Sequence, residues 1–260
     1  MFKNLRKEYR DDIANQLSFN ILGNDGELFS EEDIAPLPPV LQAYLRRSFF
    51  IGKRKMSRLM MEYRDVAFAQ GRKGPKMRID YSQCNFIARP ARLALIESRL
   101  FGIPFDGYDY WSEGVGGMKG VIGNVLTLFD QRCPEMDKAC LVTFLAECLF
   151  APSSLLQNYI SFEQSGEYEV RATIEYMGQS AQGVFHFNDN YELTTFTTTD
   201  RAATDKDGHM EYIPWSAICG DYQMSSDGIK LPTTFKAVWH YPDEDFVYFN
   251  GRIDSVSYGY

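Results

Sequence analysis

Hydrophobic positions recur along this chain with two different periods. Phe2, Leu5, Tyr9, Ile13 and Leu17 follow one another at three- and four-residue steps, which stacks them on one face of a helix. Gly23, Asn24 and Gly26 break the pattern, and Ser30 with Asp33 three residues on has the form of a capping start for a short helical turn. Leu37-Pro38-Pro39 then opens a second helix, because proline in a first turn gives up an N–H that would have no partner there. Val40, Leu41, Tyr44 and Leu45 form its buried stripe, and Gly52 ends it.

From about residue 55 the period drops to two, in segments rich in aromatic and β-branched residues and punctuated by Gly, Pro, Asn and Asp. Strands are predicted over 58–70, 76–88, 93–101 and 108–116. A second set follows over 159–163, 167–176, 181–187, 192–200, 209–215, 221–224, 233–240 and 246–258. Between the sets, Met136, Cys140, Thr143, Phe144, Glu147 and Cys148 recur at helical spacing and predict a helix over 135–150. Pro134 starts it and Pro152 forbids its continuation.

Strands joined by short turns, without regular βαβ alternation, exclude a doubly wound parallel sheet. The expected class is α+β: one large antiparallel sheet, with N-terminal helices and one helix inserted between the two strand sets. A dozen strands is more than a twisted open sheet carries flat, so the sheet should curl into a half-barrel with helices against one face. The organisation expected is a helical segment, 1–54, packed on a single antiparallel β domain, 55–260.

Curling makes a concavity, and aromatics at 15% of 260 residues either line it or fill it. Filling is the commoner use of large apolar side chains. The formal charge of −8 argues against a dedicated nucleic-acid binder. Charge is uneven, however: residues 46–99 hold fourteen Lys and Arg against four Asp and Glu. That basic stretch can answer acidic neighbours, an anionic membrane surface or an acidic ligand. The charged N-terminus lacks the apolar core of a signal peptide, so a cytoplasmic protein with reduced thiols at Cys84, Cys133, Cys140, Cys148 and Cys219 is expected. No apolar run reaches the roughly 18–20 residues that span a bilayer.

Motifs for the common chemistries fail one by one. Three carboxylates, Asp106, Asp109 and Glu113, precede the glycine cluster Gly114-Val-Gly116-Gly117-Met-Lys-Gly120, but Lys119 stands where a dinucleotide loop needs glycine, and no Gly-Lys-Ser/Thr is present. Asp205-Lys-Asp207-Gly208 has Ala203 and Pro214 where a calcium loop needs ligands, and reads as a hairpin turn. His186, His209 and His240 include no i, i+4 pair, so no metal is expected. Gly178-Gln-Ser180-Ala-Gln-Gly183 is one residue too long for a nucleophile elbow, and Cys140 and Cys148 sit in the apolar helix as small hydrophobes. No cofactor is expected.

Leu37-Pro-Pro-x-x-Gln42-x-Tyr44-Leu45-Arg46, Asp109 with Gly114-x-Gly116-x-Met118, Phe150-x-Pro152, Arg201, Pro214-Trp215, Gly228 with Pro232, and Trp239 occur in an order that resembles a bacterial family known only as a domain of unknown function. The likeness runs over residues 37–258 and implies no reaction. The curled sheet with an inserted helix is also similar to periplasmic lipoprotein carriers, whose half-barrels hold acyl chains. This chain departs from them in having no export signal.

Three functions compete. In the first, the protein binds an apolar or lipid-like molecule: Trp111, Phe150, Trp215 and Trp239 wall a cavity, and Arg201 with Asp109 or Glu113 orients a polar end. In the second, Asp109, Trp111 and Glu113 alternate on one strand face, and the two carboxylates serve as acid and base in an aromatic cleft. In the third, an exposed strand edge pairs with another protein. Oligomeric state is not legible.

Overall fold

The computed structural model describes residues 4–20, 26–100, 102–204 and 210–260. The helices are α1 (Leu5–Phe19), the single turn α2 (Glu31–Ile34), α3 (Pro39–Arg47) and α4 (Pro134–Glu147), the last followed by 3-10 turns at Cys148–Phe150 and Pro152–Leu156. Strands β1 to β6 are Arg58–Ala69, Lys76–Phe86, Ala91–Leu100, Ile103–Ser112, Val115–Ile122 and Leu126–Gln131. Strands β7 to β10 are Ile160–Gly166, Glu169–Tyr176, Gln179–Phe187 and Leu193–Thr198. Ala202–Thr204 (β11) and Met210–Tyr212 (β12) form a small separate hairpin, and β13 to β15 are Trp215–Met224, Lys230–His240 and Asp245–Gly259.

Thirteen strands join in one curled, unclosed antiparallel sheet in the order β6-β5-β4-β3-β2-β1-β15-β14-β13-β10-β9-β8-β7. The expected class and architecture hold. The first strand pairs with the last, so the two strand sets meet in the middle and β6 and β7 become opposite edges. The chain must travel from one edge to the other, and α4 makes that crossing over the concave face. Register shifts in β1 around Tyr63 to Val66, with Asp65 in the left-handed region (φ 50°), put a bulge at the centre of the sheet. A bulge adds local twist, which is how so wide a sheet curls. At one end the tips of the two wings touch, where the Gln179 side-chain amide donates to the Gly114 carbonyl at 2.6 Å.

Helices cover both faces, in contrast to the single covered face expected. Alternate positions of β2 to β4 separate the faces. Tyr81, Ala94, Ile96 and Trp111 join the main core with α3 and α4, whereas Cys84, Phe86, Leu93 and Tyr108 form a second cluster under Leu5, Tyr9 and Ile13 of α1. Ser30 and Asp33 make the reciprocal capping box that starts α2. Sequence patterning missed β5 and β6, whose glycines and polar residues mute the alternation, and placed a strand end at Gly116, inside β5. Phe2, Gly23, Asn24, His209 and the Asp205-Lys-Asp207-Gly208 turn lie outside the described residues. Among the described residues no helix is long and apolar enough to cross a membrane.

Candidate functional site

Two arginines mark the inner face. Arg92 on β3 is fully buried between Glu147, in the last turn of α4, and Asp109 on β4. Its Nε donates to Glu147 Oε2 at 3.0 Å, and its Nη1 donates to Asp109 Oδ2 at 2.7 Å. The Tyr81 hydroxyl accepts from Nη2, and the Gln83 and Asn85 amides donate to Glu147 Oε2 at 2.6 and 2.9 Å. Burial works against the Arg92 charge, but Glu147, Tyr81 and Asp109 outweigh it and hold the guanidinium well above its usual range. The Cys140 thiol, 3.7 Å from Asp109 Oδ1, is pushed up by burial and then by that carboxylate. Gly116 lets α4 come this close, since a Cβ there would stand 2.9 Å from the Cys140 sulfur, and its N–H donates to Asp137 at 2.6 Å.

Arg201, which follows β10, is half-buried against the Ala139 carbonyl of α4. Its guanidinium carbon lies 4.8 Å from the Trp215 ring centre, 5.1 Å from Trp239 and 6.0 Å from Tyr248. Nη1 donates to the Tyr248 hydroxyl at 3.1 Å, which also accepts from Trp215 Nε1, and Nε donates to the Ala139 carbonyl of α4. Among the described residues no carboxylate lies within ion-pair distance of Arg201.

The expected pairing of Arg201 with Asp109 or Glu113 is therefore corrected: Asp109 belongs to Arg92. Nor do Asp109 and Glu113 share a strand face. β4 ends at Ser112, and Glu113 is an exposed turn residue with φ 52°. The reason is local, since Glu113-Gly114 turns β4 into β5. The aromatic residues expected as walls are packed: Trp111 against Phe144 and Tyr176, Trp215 between Phe196 and Trp239, and Phe150 in the same core.

Cavities flank this core. One of about 490 Å³ lies on the outer face under α1, lined by charged groups including Glu8, Asp12, Lys119 and Asp130. Another, of about 250 Å³, opens between the first turns of α4, the start of β9 and the small hairpin, lined by Pro134, Glu135, Lys138, Gln179, Ser180 and Tyr212. Gln179 Oε1 and Trp111 Nε1 are buried without hydrogen-bond partners. Among the described residues no three His, Cys, Asp or Glu side chains gather as a metal site. Patterning missed Arg92, Glu147 and Tyr248. A signal existed for the first two, each a charge inside an apolar run, Ala91-Arg-Leu-Ala-Leu-Ile96 and Leu145-Ala-Glu147-Cys-Leu149.

Fold and site together define a curled antiparallel half-barrel crossed by a central helix, with a charge-neutralised floor and an aromatic-boxed arginine at its mouth. Residues 27–251 match the model of a family of unknown function, DUF6544, and the chain belongs to that family, as the sequence resemblance implied. No curated protein matches it. Among solved structures it is similar to a domain described as an outer membrane lipoprotein-sorting protein from Vibrio parahaemolyticus, with 9% identity, 84% of this chain and 90% of that one covered, and a TM-score of 0.45. It is similar also to a DUF1329 family protein from Desulfovibrio piger, with 13% identity, 85% and 93% covered, and the same TM-score of 0.45. Neither neighbour's role transfers to this chain at that level of similarity.

Proposed function

We propose that this protein is a non-enzymatic binding module for an amphipathic molecule, an anionic head on an apolar or lipid-like body. One observation carries the reading: Arg201 is a cation boxed by Trp215, Trp239 and Tyr248 with no carboxylate at ion-pair distance among the described residues. A guanidinium held on aromatic faces keeps in-plane donors for a carboxylate or phosphate. The 250 Å³ cavity is lined by Lys138, the residue before Ala139, whose carbonyl accepts from Arg201 Nε. Trp111, Phe150 and Trp215 supply the apolar interior behind this mouth, but they fill it. A body larger than the cavity therefore binds along the seam between α4 and the small hairpin.

The test is to weigh the purified protein under native and denaturing conditions, extract and identify what is released, and repeat with Arg201→Gln. A stoichiometric anionic amphiphile that the variant loses is the expected result. A clean apo mass, together with tryptophan emission that an alkyl phosphate leaves unchanged, overturns the reading, because Trp215 and Trp239 stack on the proposed anchor.

A further inference from the structure

A different part of the molecule carries an inference independent of what binds at Arg201. In an antiparallel meander alternate connections fall at the same end, so the β1–β2 connection, the start of β4 and the β5–β6 turn lie side by side at one end of the sheet. Three apolar side chains stand exposed there: Ile103 at 48%, Val125 at 66% and Leu126 at 59%. They are neighbours. The Gly123 N–H donates to the Pro104 carbonyl at 2.8 Å, tying the β5–β6 turn to the start of β4, and Leu126 pairs with Ile122 across the turn.

Cations flank this patch. Arg99 pairs in register with Pro104, next to Ile103, and Lys73 and Lys76 stand on the β1–β2 connection and the first residue of β2. Lys76 and Leu126 are four strands apart, about 19 Å at the usual interstrand spacing. All three cations are exposed, and among the described residues none has a carboxylate within ion-pair distance. Nearby among the described residues, Asp243 and Glu244 share the one Arg72 guanidinium, and Asp245 contacts His240. On a chain of net charge −8, this end places exposed aliphatic tips beside three exposed cations with no carboxylate at ion-pair distance among the described residues. A folded core has no use for that combination, and an anionic lipid interface matches both halves of it.

We propose that this end of the sheet docks on the surface of an anionic phospholipid bilayer, with Ile103, Val125 and Leu126 entering the interface and Lys73, Lys76 and Arg99 meeting the phosphates. A complementary charge on another protein would answer the cations but not the aliphatic tips, and a second copy would answer the tips but bring like charge against like.

The full-length protein is sedimented with vesicles of phosphatidylcholine alone and of phosphatidylcholine with phosphatidylglycerol at about three to one, at low and high salt. Partitioning onto the anionic vesicles, weakened by salt, is expected. Replacing Lys76 and Arg99 together by Gln should weaken it roughly thirty-fold, the loss expected from removing two cations near an anionic leaflet. Replacing Val125 and Leu126 by Ser should release the protein at both salt concentrations, with an unchanged unfolding midpoint as the control for folding. Failure to partition onto anionic vesicles, or equal partitioning of wild type and both variants, overturns the proposal. So does a Val125/Leu126 variant that changes the sedimentation of the free protein while leaving vesicle binding intact, which would make the patch a contact between copies.

Discussion

Arg92 and Arg201 both pack against α4, Arg92 at Glu147 in its last turn and Arg201 at the Ala139 carbonyl, and differ in what completes their charge. Arg92 is met by two carboxylates, a phenol and an amide, and is sealed from water. Arg201 is met by three aromatic faces, a hydroxyl and a carbonyl, and remains half-exposed. A buried cation whose hydrogen bonds and charge are satisfied inside the protein has nothing left to offer a ligand, and its role is to pin α4 to the sheet. A cation packed on rings, with no carboxylate at ion-pair distance among the described residues, keeps its charge available. The contrast separates scaffold from site more cleanly than aromatic content, which is high at both ends.

The comparison breaks most visibly at Arg92. Arg92→Met strands the Glu147 carboxylate in the core, and a loss of about 3–5 kcal/mol is expected in urea unfolding. Adding Glu147→Leu should recover at least half of it, because the uncompensated charge rather than the missing attraction does the damage. A loss below about 1 kcal/mol for Arg92→Met would show that the floor is not structural.

Thiols sharpen the same contrast. Cys140 lies on the floor, while half-buried Cys133 precedes α4 near the mouth, its sulfur 4.0 Å from Met210 Sδ. Burial pushes Cys84 and Cys219 up to about 12 and raises Cys140 and Cys148 as well. A neutral disulfide reagent at mildly alkaline pH should therefore titrate Cys133 in the folded protein and the other four only on unfolding. Unfolded thiols titrate near about 8.5, so the stability that neutral Cys84 and Cys219 contribute is whole below that pH. It drains as pH rises toward about 12. Unfolding midpoints followed between those limits should fall less steeply in Cys84→Ala and Cys219→Ala.

Arg201→Gln should cost about 1 kcal/mol or less, the scale of a partly exposed cation–π contact, while abolishing capture of an anionic amphiphile. A large stability loss with binding intact would reverse the roles assigned to the two arginines. Smallest of all, Glu113→Gln should change stability by no more than about 0.5 kcal/mol, as for an exposed turn residue, and leave ligand capture unchanged.

Much of the scaffold was readable before any coordinates. Period-two runs marked most strands, and Pro134 and Pro152 bracketed α4 with the 3-10 turn at Cys148–Phe150. The site was less readable. β5 was missed because Gly116, Gly117 and Gly120 have no side chains to alternate, and their smallness is needed where α4, Tyr110 and Phe129 press against the strand. Asp109 was singled out, but its partner stands 17 residues away on a neighbouring strand and the next member of the cluster 55 residues from Arg92, separations that no local spacing rule reaches.

Periodicity, prolines and short turns were enough to specify one wide antiparallel sheet with a helix inserted in it, because those features act over a few residues and each residue carries its share of the signal. Which aromatics fill the interior, and which charges Arg92 and Arg201 meet, depended on how the strands pair and on α4 crossing between the two edges. Pairing of that kind joins side chains tens of residues apart on different elements, and it appears only when the chain is folded.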